Sequence, residues 1–140
     1  MTSLRAENVQ IDAGNQKFDM LTLIFFAAIL LVLFLLSITV NFEFGYLFII
    51  FLPIAIFHKI RITSRHYIFL SGDTILIKHL FKRDVTIHRK HYIRISASCG
   101  VIPFMNEMMI HFDDGRCFLF SGGTATPSEI ERLILGYWEK

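Results

Sequence analysis

The sequence predicts an α+β membrane protein: two transmembrane helices forming a hairpin, followed by a bent antiparallel β-barrel or sheet with a C-terminal capping helix. Three observations carry this. Met20–Val40 is an uninterrupted run of 21 residues without a charge. A second uncharged run of 14 residues, Phe44–Phe57, follows after three residues. From Ser64 onward the hydrophobic period drops to that of short strands, and after Thr126 it lengthens again to that of a helix.

The first run, at about 1.5 Å per residue, covers the roughly 30 Å hydrocarbon core of a bilayer. A cleaved signal peptide is disfavoured. Its apolar stretch would be shorter and preceded by a positive segment, whereas here a near-neutral polar segment, residues 1–19, comes first and Asn41-Phe42-Glu43 follows without a small-residue cleavage pattern. The second run is short for a span. It extends to about residue 60 because Lys59 can snorkel to the headgroups, and Pro53 is tolerated in membrane helices. A re-entrant segment is the alternative. The expected organisation is thus a polar segment over 1–19, a hairpin over 20–60 (about 20–40 and 44–60), and a domain over 64–140.

Charge follows the same division. Residues 1–57 carry two basic and four acidic residues, and residues 58–140 carry twelve basic and eight acidic. The turn between the apolar runs has no Lys or Arg, while Lys59, Arg61 and Arg65 follow the second run. Basic flanks favour the cytoplasmic side. Both termini are therefore expected there, with weak support from Arg5 and Lys17. Cys99 and Cys117 have no C-x-x-C spacing and are expected to be reduced thiols.

In the C-terminal half, the expected strands are His66–Leu70, Thr74–Leu80, Val85–His88, Tyr92–Ala97, Glu107–Phe112 and Arg116–Phe120. The turns are Ser71-Gly72-Asp73, Phe81-Lys82-Arg83-Asp84 and Asp113-Asp114-Gly115. In the fourth strand Ile93, Ile95 and Ala97 are expected on one face, with Arg94 and Ser96 on the other. Thr126-Pro127-Ser128-Glu129 reads as a capping box with Pro at the first helical position. Ile130, Leu133, Ile134 and Tyr137 then recur at helical spacing, so the last helix should lay this stripe on the core.

This arrangement, HYIFLSGDTILIKHLFKRDVTIHRKHYIRI with the late D-D-G hairpin and the P-S-E helix start, resembles the bacterial pleckstrin-homology-like (bPH) domains. The nearer likeness is to the small membrane-anchored YdbS-like and YcxB-like type. The resemblance covers about residues 44–140. It implies a seven-stranded bent barrel capped by a helix, placed at the inner membrane of a bacterium, and a binding or assembly role. Six strands are evident, and Cys99–Phe104 (CGVIPF) is the candidate seventh. The phosphoinositide-binding turn of eukaryotic pleckstrin-homology domains is basic. Here that turn is Ser71-Gly72-Asp73, so that function does not carry over.

The polar feature most suited to contact is the basic set Lys82, Arg83, Arg89, Lys90 and Arg94, which fits anionic lipid headgroups or an acidic partner. The set is read against an ordinary solvated face. Six histidines are present, but His88 and His91 flank Arg89-Lys90, and no carboxylate or Cys pattern completes a metal site. Ser121-Gly122-Gly123-Thr124 lacks the Lys-Ser/Thr ending of a P-loop. No cofactor and no catalytic residue is implied, and the small excess charge disfavours nucleic acid. The expectation is a non-catalytic scaffold or regulatory module embedded in the bilayer, with a protein partner, self-association or anionic lipid as its ligand. An exposed sheet edge is a further contact candidate, since it can accept a peptide strand. The alternatives are a small membrane enzyme using His111 and Cys117, and an immunity-type membrane protein.

Overall fold

The structure, a computed structural model, describes residues 8–98 and 106–140. The chain divides into two compact units. One comprises residues 15–64, and the other combines residues up to 14 with residues 65–140.

The first unit is a pair of helices, α1 (Gln16–Thr39) and α2 (Phe44–Ser64). Both are long and apolar enough to cross a membrane. At 1.5 Å per residue they extend about 36 and 32 Å. Apolar side chains lie exposed along one broad face of α1, among them Leu21, Phe25, Leu31 and Ile38, while the residues of the opposite face are only partly exposed. α1 begins earlier than the apolar run because Asn15 caps it, its side chain accepting from the Phe18 N–H at 3.1 Å. At the turn, the Asn41 side chain accepts from the Glu43 N–H and its carbonyl from the Phe44 N–H. The helices then meet through Phe34 against Phe48, and through His58 Nε2 and Thr22 Oγ1, 2.9 Å apart. α2 continues through Pro53.

Among the described residues the second unit contains seven strands and one α-helix. β1 (Val9–Gln10), β2 (Tyr67–Ser71), β3 (Thr74–Lys78) and β4 (Val85–His88) form one antiparallel sheet in that order. β5 (Tyr92–Ala97), β6 (Glu107–Phe112) and β7 (Cys117–Ser121) form a second. A short 3-10 turn, Arg89–His91, joins the sheets. Among the described residues the ladders do not close into a barrel. The sheets are instead stitched at their corners by single backbone bonds: His66 N–H to Leu119 C=O at 2.8 Å, Ala13 N–H to Ser121 C=O at 2.9 Å, and Asp113 N–H to His91 C=O at 2.9 Å.

The strand that precedes the hairpin is β1, with Val9 opposite Leu70 and Gln10 opposite Phe69. The Cys99–Phe104 candidate lies outside the described residues. Residues 11–14 continue the attachment. Ile11 enters the core, and the buried Asp12 carboxylate accepts from Ile68 N–H (2.9 Å), Gly14 N–H (2.8 Å) and Gln10 Nε2 (3.0 Å). A Cβ on Gly14 would come within 2.9 Å of the Tyr67 ring, so only glycine fits there.

The core is built from alternate positions, including Ile68, Leu70, Ile75, Ile77, Ile87, Met108, Ile110, Phe112 and Phe120. One strand departs from alternation. The register slips between Tyr92 and Arg94, so Ile95 is buried while Ile93 is exposed. The Glu131 carboxylate accepts from the Ile95 N–H at 2.7 Å beside this irregularity.

The last element, α3 (Pro127–Trp138), starts with the expected reciprocal cap. Thr126 Oγ1 accepts from Glu129 N–H, and Thr126 N–H donates to the Glu129 carboxylate. Ile130 and Ile134 are buried, but Leu133 is 60% exposed, so the apolar stripe is narrower than the spacing predicts. Tyr137 Oη accepts from Gly72 N–H at 2.9 Å, and Trp138 packs edge-on against Tyr92.

Candidate functional site

The five basic residues are exposed, but the sheet divides them. β3 and β4 are antiparallel, with Thr74 opposite His88 and Ile77 opposite Val85. Lys82 and Arg83 sit on the turn at one end of this pair, and Arg89 and Lys90 at the other. The four residues of β4 separate them by roughly 13 Å. At the far end Arg89 pairs with Asp73 at 3.1 Å, and its N–H donates to the Asp73 carbonyl. Arg94 belongs to the second sheet. Lys82 and Arg83 are therefore the adjacent pair, and the other three do not join them in one patch.

The end of the sheet that holds Lys82 and Arg83 is also where the chain enters and leaves the helical unit. β2 starts at Tyr67 opposite Lys78, three residues after α2 ends. Residues 11–14 run to the same end, with Gly14 against Tyr67. Phe81, on the same turn, is 59% exposed. Behind it His79, His66 and Phe118 form an aromatic row, with His66 5.1 Å from both His79 and Phe118. His79 Nδ1 accepts from the Phe81 N–H at 3.0 Å and shapes the turn. His66 Nδ1–H donates to the Leu119 carbonyl at 3.1 Å. Burial pushes the His66 imidazole below its ordinary value, and nearby His79 and Lys82 push in the same direction against the Leu119 carbonyl. Phe81 was hidden in the sequence inside a polar turn; the signal that marks it is an aromatic directly before two cations.

His111 and Cys117 stand opposite each other on β6 and β7, and Cys117 is exposed. Ser96 Oγ lies 2.7 Å from His111 Nε2. Sequence reasoning did not single out Ser96, because its approach depends on the β5–β6 register. Opposed residues on an antiparallel pair share a face, so the three side chains belong to the outer surface of the second sheet.

His88 and His91 are each engaged locally. His88 Nδ1 accepts from Lys90 N–H, and His91 Nδ1 lies 2.9 Å from Asp113. Among the described residues no group of three or more His, Cys, Asp or Glu is placed to hold a metal ion. Ser121-Gly122-Gly123-Thr124 leads from β7 into the α3 cap, and Asn106 Nδ2 donates to the Gly123 and Ala125 carbonyls. Cys99 lies outside the described residues. The chain matches no protein-family model, no curated protein and no solved structure.

Proposed function

We propose that this chain is a non-catalytic, membrane-anchored binding module whose PH-like sheet domain works at the cytoplasmic face of a bacterial inner membrane. In this reading α1 and α2 both cross the bilayer, and the turn Phe81-Lys82-Arg83 contacts anionic headgroups. One observation carries it: both chain junctions to the apolar helices and the Phe81-Lys82-Arg83 turn occupy the same end of the sheet. An exposed aromatic beside two cations suits the boundary between headgroups and acyl chains, where each cation contributes on the order of 1 kcal/mol. A sheet completed by β1 also supports two crossings, since a single crossing would put β1 and β2 on opposite sides of the membrane.

Alkaline carbonate extraction tests the anchor, and the chain is expected to stay in the pellet. The Phe81→Trp variant, in nanodiscs carrying brominated lipid, tests the contact. Its added fluorescence over the parent should be quenched more strongly in anionic than in neutral discs. Lys82→Glu with Arg83→Glu should remove that difference, and Arg89→Glu with Lys90→Glu should leave it. Equal quenching in both discs, or none, removes the lipid contact.

The enzyme alternative keeps one supporting observation, the Ser96–His111–Cys117 face. If His111 activates Cys117, His111→Ala should slow alkylation of Cys117 at neutral pH by about a hundredfold, the low end of general-base effects. An unchanged rate discards it.

A further inference from the structure

We infer that the sheet domain carries a slot for an extended acidic peptide, between the edge strand β1 and the outward face of α3. Among the described residues β1 is the outermost strand of its sheet. Ile11 N–H donates to Ile68 C=O at 3.0 Å, so alternation turns the N–H and C=O of Gln10 away from β2. Beside that edge runs a groove of about 410 Å³, with Val9, Ile11 and Leu133 supplying apolar walls and Gly136 lying on its helical side. Its charged lining residues are Arg132 and Lys140, both cations, and neither forms an ion pair among the described residues.

Each part matches one feature of the same ligand. An open backbone edge pairs with a strand, because the incoming main chain supplies the missing donors and acceptors. The apolar walls receive every second side chain of that strand. The two cations at the rim, unpaired among the described residues, select carboxylates over amines. Gly136 agrees with this. Glycine weakens a helix interior relative to alanine, yet a Cβ at 136 would meet nothing within 4 Å, so the fold's own packing does not require it. It leaves the groove wide enough for an arriving backbone. Glu129, in the shallower depression next along the helix, is held by the Thr126 N–H and so is turned to the helix start.

The slot deepens the binding-module reading by naming the partner's chemistry, but its test does not use the bilayer contact. The full chain, in uncharged nanodiscs, is applied to an array of heptapeptides in which apolar residues alternate with glutamate or with lysine. Binding is expected to the glutamate series, at least tenfold over the lysine series. N-methylation of the peptide backbone should abolish it, and so should Gly136→Leu, which fills the groove while favouring the helix. Arg132→Glu with Lys140→Glu should reverse the preference. The slot is overturned if no peptide binds, if both series bind alike, or if Gly136→Leu binds as the parent does. A stable dimer that Gly136→Leu splits would assign the edge to a second copy and overturn it equally. Loss of peptide binding with carbonate-resistant anchoring would leave the membrane reading standing.

Discussion

Asp12 shows how much one side chain contributes here. Its carboxylate takes the place of a neighbouring strand, satisfying the buried Ile68 amide from a residue that precedes the helical unit in the chain. Burial raises its pKa above the ordinary carboxylate range, while the Ile68, Gln10 and Gly14 bonds pull it back. Asp12→Ala orphans the Ile68 amide at a cost of about 1–3 kcal/mol. Hydrogen exchange should accelerate at Ile68 and along β2. His66 sets a pH dependence of the opposite kind from an ion-paired histidine. Its folded pKa is lowered from 6.5, so the unfolded chain binds the proton more tightly. Stability is therefore full above 6.5 and falls as pH drops through 6.5 toward the lowered folded value. Denaturant midpoints measured by Trp138 fluorescence, the chain's one tryptophan, should decline over that window, and His66→Gln should flatten the decline. Neither role was legible from the sequence, since an isolated Asp in a polar segment and a His at a strand start have no pattern that announces a buried partner.

At the level of elements the sequence was more informative. The α3 cap follows from four residues, because its bonds are local. Thr126→Ala should cost about 1 kcal/mol, read as a lower midpoint with Trp138 emission moving to the red. Strand limits were also legible, since alternation and turn residues are local signals. The reading failed where a tertiary choice intervened. Ile93 was expected on the same face as Ile95, but the slipped register between Tyr92 and Arg94 turns it out, and Glu131 from α3 accepts the Ile95 amide. Leu133 matched helical spacing, yet the core is narrow enough to be filled by Ile130 and Ile134, leaving Leu133 on the groove. The basic residues do not gather in one patch, because Lys82 and Arg83 fall at the opposite end of β4 from Arg89 and Lys90.

For the whole molecule, the division into a helical hairpin and a sheet domain was legible from hydropathy alone. The discontinuity of the sheet domain was not, since a two-residue strand carries no periodicity and its partner lies beyond both apolar helices. If the helices span as proposed, both flanks share a side. In intact cells a membrane-impermeant maleimide should then modify Asn41→Cys, while Asn8→Cys and Cys117 should react only after permeabilisation. Reaction of Asn8→Cys in intact cells would contradict the arrangement. The split domain also bears on biogenesis. Val9 and Gln10 leave the ribosome well before Phe69 and Leu70, so β1 must wait for its mate until the greasy stretch between has been made. If the helices span as proposed, a chain that integrates only one of them would leave residues 8–14 across the bilayer from β2, with the Ile68 amide and Ile11's seat unfilled. In that arrangement correct threading would be a precondition for maturation, and mis-threaded copies would be left with an unfinished sheet open to proteolysis.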